Sequence, residues 1–104
     1  MTPDETVTSY YDCWLRSDRA GARALLADDL KFRSPPDDFD SADAFLEKCW
    51  AFSEGFDEMN VVHRVADDEA VYLVYSFGDF ACGELIKVRG GKIVEIYVTF
   101  NPTR

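Results

Sequence analysis

Several things are scarce in this chain of 104 residues, and each scarcity excludes something. Cys13, Cys49 and Cys82 are odd in number, each over 30 residues from the next, with no C-x-x-C pair. A disulfide framework and a structural zinc site are therefore not expected. The plain expectation is three buried thiols in a reducing cytoplasm. One histidine, His63, leaves little for histidine-based catalysis, and no G-x-S-x-G nucleophile elbow is present. No apolar run approaches the ~20 residues of a membrane-spanning helix. The opening Met1-Thr-Pro-Asp-Glu5 is neither basic nor followed by an apolar stretch, so no secretory leader is expected. Positive charge is also short: 11 Lys and Arg against 20 Asp and Glu give a formal charge of −9. Such a surface repels phosphate backbones and anionic lipid, which argues against nucleic-acid and membrane-surface partners.

What remains has the size of one domain, taken as residues 1–104, and its order of elements is readable. Thr2-Pro3-Asp4-Glu5 has the form of a capping box with proline at the first helical position. Val7, Tyr10, Tyr11, Trp14 and Leu15 then follow on one helical face. Ser17-Asp18 closes that helix and caps a short second one, which Asp28-Asp29 is expected to end. Leu30–Ser34 alternates as a short strand. Pro35–Asp40 reads as irregular, since two prolines disfavour helix and ladder alike. Ser41 or Asp40 caps a third helix, with Phe45, Leu46, Cys49, Trp50, Phe52 and Phe56 on its apolar stripe and Gly55 as its stop.

From Met59 the apolar period becomes two. Strands are expected over 59–66, 70–77, 80–89 and 92–100, with tight turns at Gly78-Asp79 and Gly90-Gly91. Helices first and an antiparallel meander after them make an α+β domain. One parity of the late strands carries Val71, Leu73, Tyr75, Phe77, Cys82, Glu84, Ile86, Val88, Val94, Ile96, Val98 and Phe100, and is assigned to the core. The opposite parity carries Tyr72, Val74, Leu85, Ile93 and Tyr97, too many apolar residues for a free surface. A second copy of the chain is the expected cover.

Glu84 stands out because it sits between Cys82 and Ile86 on the core parity. A carboxyl there is paired, protonated or in a wet pocket, unless the register slips and turns it outward. Tyr10, Trp14 and Tyr75 each combine an apolar body with a polar tip, suited to a cavity wall or to core packing. His63 shares parity with Val61 and Val65 and is expected in the core or at an interface.

The segments Tyr10-Tyr-Asp-Cys-Trp-Leu-Arg-Ser-Asp18, Ala24-Leu-Leu-Ala-Asp-Asp-Leu-Lys-Phe-Arg-Ser-Pro35 and Gly91-Lys-Ile-Val-Glu-Ile-Tyr-Val98, in that order, resemble the nuclear-transport-factor-2-like superfamily, in its SnoaL-like and ketosteroid-isomerase-like branch. The resemblance implies a cone-shaped roll: a curved, mainly antiparallel sheet packed on three N-terminal helices, with an apolar pocket inside and a homodimer through the outer sheet face. It does not fix an activity. By position, Tyr10 matches the isomerase tyrosine and Glu84 the strand acid, while Ser34 stands where the aspartate base would be. No His–Asp pair of the dehydratase kind and no Arg–Asp pair of the epoxide-hydrolase kind is evident. Trp14, Ser34, Phe39 and Trp50 are the further candidate ligand contacts from the helices and the short strand. Tyr75, Phe77, Ile96 and Phe100 are those from the sheet.

The function expected is therefore binding of a small apolar or cyclic molecule, with no metal or cofactor. One alternative is a small lyase or isomerase, ketosteroid-isomerase-like or polyketide-cyclase-like, using Tyr10 and Glu84 with a base from the Asp37–Asp40 loop. Another is a non-catalytic protein-interaction subunit whose cone is filled by Trp14, Phe39 and Trp50.

Overall fold

Thr2 and Glu5 close the first helix as the sequence requires. In the computed structural model the Thr2 N–H donates to Glu5 Oε1 at 2.8 Å, and the Glu5 N–H donates to Thr2 Oγ1 at 3.1 Å. The structure describes residues 1–58, 60–77 and 80–102, with side chains at 55–58, 77, 80 and 100–102 left aside. Helix α1 spans Pro3–Leu15 and buries Thr6, Val7, Tyr10, Cys13 and Trp14. Leu15, expected on that face, is exposed. At about 100° per residue it lies some 80° past Val7, on the side away from the buried Thr6 and Cys13.

Helix α2 is Arg19–Ala24, and the Asp18 carboxylate accepts the Gly21 N–H at 2.9 Å as its N-cap. The helix does not run to Asp28-Asp29. Strand β1 begins at Leu26 and continues to Arg33, four residues earlier than its alternation suggested. Pairing decides this: Leu26 stands beside Ile93 of the last strand, and such a long-range partner overrides the poor strand propensity of two aspartates. The ladder is irregular between Leu26 and Lys31, where those aspartates sit. Arg23 reaches over them to Asp28 at 2.7 Å and to Asp43 at 2.9 Å, joining α2, β1 and α3.

Beyond the two prolines a two-residue strand, β2 (Asp38–Phe39), pairs with Phe32 and Arg33, a ladder the sequence reading did not include. Helix α3 (Ala42–Cys49) starts at Ser41, whose hydroxyl accepts the Ala44 N–H, and runs into a 3₁₀ segment, Trp50–Glu58. Strands β3 (Asn60–Ala66), β4 (Ala70–Phe77), β5 (Phe80–Arg89) and β6 (Lys92–Pro102) form the meander. The turn expected at Gly78-Asp79 lies outside the described residues. Gly90 and Gly91 turn β5 into β6 with φ of 61° and 77°, a conformation that side chains rarely tolerate.

The six strands form one sheet in the order β2-β1-β6-β5-β4-β3. All neighbours are antiparallel except β1 and β6, which run parallel. The domain is thus α+β with a mainly antiparallel sheet packed on helices. Val88 pairs with Ile93 while Lys87 pairs with Glu95, so β6 carries one extra residue, Val94. This bulge reverses the parity at the start of β6. Ile93, assigned to the outer face, is fully buried, and Val94, assigned to the core, is only half-buried.

A second irregularity, between Val61 and His63, turns His63 onto the outer face of β3, exposed rather than in the core. Arg64 of the same strand clasps α1, donating to Asp4 Oδ1 at 2.9 Å, the Asp4 carbonyl at 2.8 Å and Thr8 Oγ1 at 2.9 Å. On the inner face the row Val71, Ile86 and Ile96 is fully buried against the helices and closes the narrow end of the cone.

Candidate functional site

One step toward the open end, Glu84 of β5 stands between Leu73 of β4 and Val98 of β6. Its parity carries it inward, as the alternation around Cys82 and Ile86 requires, and it is only 7 % exposed. In the next row Tyr75 pairs with Cys82 and leans along the diagonal to Glu84. The Tyr75 hydroxyl donates to Glu84 Oε1 at 2.8 Å. The Tyr11 hydroxyl lies beside the same carboxyl and favours its charged form. Burial pushes the Glu84 carboxyl above the ordinary glutamate range, and the Tyr75 and Tyr11 hydroxyls only partly oppose it. Burial and the neighbouring Glu84 push the Tyr75, Tyr11 and Tyr10 hydroxyls well up, so all three remain donors at neutral pH.

These groups border a cavity of about 370 Å³ between the sheet and the helices. That volume lies at the small end of the roughly 300–1,000 Å³ typical of ligand pockets. Tyr10, Tyr11 and Trp14 line it from α1, Phe32 from β1, and Phe45 and Cys49 from α3. The sheet adds Tyr75, Cys82, Glu84 and Val98. The wall is thus nearly all apolar, with Glu84 as its buried acid. Burial raises the Cys49 thiol to about 11, so it enters as an inert apolar group.

The rim is built by the β1–β2 turn and the 3₁₀ segment. Ser34, Pro36, Asp37 and Phe52 border the cavity there. The Ser34 hydroxyl donates to the Asp37 carbonyl at 3.0 Å and accepts the Asp37 N–H at 3.2 Å, so it holds the turn together. The Asp37 carboxylate faces Lys48 Nζ at 3.3 Å. Asp40 points away, paired with Arg33 at 2.8 Å, which holds its carboxyl below the usual range. Phe52, expected on the apolar stripe of α3, is 64 % exposed at this rim.

Of the residues singled out in the sequence, the structure brings Tyr10, Trp14, Ser34, Tyr75 and Glu84 to the cavity. Tyr10 lines the wall beside Trp14, and the hydroxyl that donates to the Glu84 carboxyl belongs to Tyr75, with Tyr11 beside it. Three candidates are elsewhere. Trp50 packs behind the wall on Trp14, ring centroids 4.5 Å apart. Phe39 packs on Phe32 at 5.8 Å and Phe45 at 6.4 Å, since β2 holds it on the far side of those rings. Ile96 is sealed in the closed end. The side chains of Phe77 and Phe100 lie outside the described residues.

Tyr11 was the residue that sequence reasoning missed as a site. It was legible only as one more apolar-face position, four residues after Val7. Phe32, Phe45, Cys49 and Cys82 read as core, and they become wall because the helices stop short of filling the cone. Among the described residues no cluster of three His, Cys, Asp or Glu side chains could hold a metal, and no helix is long and apolar enough to cross a membrane.

Comparison with known proteins places this architecture. The SnoaL-like domain model matches residues 7–96. No curated protein matches the sequence. A crystal structure from Kribbella flavida is 23 % identical with a TM-score of 0.83, covering 96 % of this chain and 86 % of that one. A nuclear-transport-factor-2-like protein of unknown function from Cytophaga hutchinsonii is 16 % identical with a TM-score of 0.79, covering 98 % and 92 %. A putative ketosteroid isomerase from Kribbella flavida is 15 % identical with a TM-score of 0.74, covering 96 % and 78 %. Likeness at these identities speaks to the fold, while the family model spans most of the chain. The chain belongs to the SnoaL-like domain family, within the nuclear-transport-factor-2-like superfamily.

Proposed function

We propose that the protein binds a small apolar molecule, one or two rings in size, inside the cone, with one polar group of that molecule set against Glu84 and Tyr75. The observation that carries this reading is a buried carboxyl, hydrogen-bonded by a tyrosine, at the inner end of an aromatic cavity of about 370 Å³. An interior group of this kind adds nothing to the hydrophobic core and costs free energy unless it has a partner. Ligand titration tests the reading, using 1-naphthylmethanol and calorimetry. Saturable one-to-one binding is expected for the wild type, and its loss in Cys82→Phe, which fills the cavity from the sheet side. Equal heats for the two proteins would remove the reading.

A second reading is favoured by Asp37. Its carboxylate reaches the rim while Glu84, favouring its acid form, lies deep in the cavity. Two carboxyls in such different settings suit proton transfer, as in a small lyase or isomerase. Asp37 would take a proton next to a carbonyl, and Glu84 with Tyr75 would hold the oxygen. The fold shared with a putative ketosteroid isomerase is compatible with this. Tyr10 would then act as wall rather than as the donor to the oxygen. Exchange of α-protons in a cyclic ketone, lost in Asp37→Asn, would support it.

The outer face supports a homodimer. Val65, Tyr72, Leu85 and Tyr97 form one cross-strand row, with Tyr72 42 % and Tyr97 37 % exposed. Two copies joined by this patch would bury on the order of 800 Å² each.

A further inference from the structure

The cavity's charges constrain the polar group of the ligand, an inference that rests on the binding reading above. Among the described residues lining the cavity none is Lys, Arg or His, while two are carboxylic. Glu84 has hydroxyl partners but no cation within ion-pairing distance among the described residues. The rim cation nearest in the hydrogen-bond network, Lys48, is already engaged by Asp37. Half of the described lining residues are aromatic, and the chain as a whole carries −9.

Three polar groups can be weighed against that setting. A carboxylate would give up its hydration inside the cavity with no positive side chain among the described lining residues to meet it. A hydroxyl or carbonyl would gain a single neutral hydrogen bond. An ammonium ion would gain a charge-assisted bond, about twice as strong as a neutral one. It would also gain cation–π attraction to the aromatic rings that line the cavity. The field of an acidic protein further raises the local concentration of a cation at the mouth.

We propose that the ligand class of this cavity is a hydrophobic ammonium ion, its N–H groups on the Glu84 carboxylate and its apolar body against Tyr10, Tyr11, Trp14 and Phe45. The proton balance is simple. Burial favours the acid form of Glu84, and the amine arrives as R–NH₃⁺. Where Glu84 carries a proton, it passes to the buffer as the ion pair forms, while Tyr75, Tyr11, Tyr10 and Cys82, the other titratable groups around the carboxyl, stay protonated. A neutral alcohol releases none.

Calorimetry at pH 7 in phosphate and in Tris, with 1-naphthylmethylamine, 1-naphthylmethanol and 1-naphthoic acid as probes of one shape, separates the cases. The amine is expected to bind at least tenfold more tightly than the alcohol, any difference in its heat between the two buffers reporting proton release, and the acid is expected not to bind. In Glu84→Gln the amine should weaken at least tenfold and lose its advantage over the alcohol, with thermal unfolding as the check that the variant is folded; an amine advantage kept in the variant would overturn the inference. Alcohol binding equal to or tighter than amine binding in the wild type would overturn the inference and leave the cavity reading standing. Absence of binding by both would overturn both.

Discussion

Replacing Glu84 by glutamine separates charge from shape. The amide in Glu84→Gln keeps an oxygen to accept the Tyr75 hydroxyl, so the main loss is the ionisable proton. The folded chain raises the Glu84 pKa because burial outweighs the two tyrosine hydroxyls. A carboxyl whose pKa is raised on folding binds its proton more tightly in the native state than in the unfolded one. Stability is therefore lost as pH climbs from the unfolded value, about 4.3, through the folded value, and the loss is then constant. Each tenfold difference in proton affinity corresponds to about 1.4 kcal/mol. For a domain near this size that becomes roughly 5–10 °C in melting temperature. All other carboxyls are common to wild type and variant and cancel in the difference. Thermal unfolding of both proteins from pH 4 to pH 8 is the assay. Glu84→Gln should gain on the wild type as pH rises from about 4.3, and the gain should level off above the folded-state pKa of Glu84. Parallel curves, or a wild type that gains on the variant as pH rises, would refute the burial argument.

Three further outcomes are expected. Tyr75→Phe removes the first donor to the carboxyl, so it should cost about 1 kcal/mol in urea unfolding. It should also move the pH at which Glu84 destabilises the wild-type fold upward. Thr2→Ala removes the capping box of α1 and should cost about 0.5–2 kcal/mol by the same measurement, with no change in ligand affinity. Leu85→Lys places a charge at the centre of the outer row and should convert a sedimenting dimer to monomer at micromolar concentration; a wild type already monomeric there would dismiss the dimer.

The features legible in the sequence are those set by local physics. The Thr2–Glu5 box, the Asp18 and Ser41 caps and the Gly90-Gly91 turn each depend on residues a few positions apart, and each is present. Glu84 was legible because strand alternation holds through the middle of β5. Where the alternation failed, the cause was a distant partner. The early start of β1 and its parallel pairing with β6 are fixed by Ile93, and the bulge at Val94 reverses a parity that no neighbouring residue announces. The same holds at the site. Phe32 and Phe45 have the sequence signature of core residues, and only the assembled cone decides that a cavity lies in front of them. Phe39 and Trp50 show the converse, aromatic residues expected at the ligand that instead support the rings lining it.

The account stands most directly on the cavity taking a ligand at Glu84. Carbon-13 labelling of the glutamate side chains allows the Glu84 carboxyl resonance to be followed by NMR while 1-naphthylmethylamine is added. The account predicts a saturable shift of that resonance, with the surface glutamates unmoved. A Glu84 resonance unchanged at saturating amine, or one already titrating as an ordinary exposed glutamate in the free protein, would contradict it.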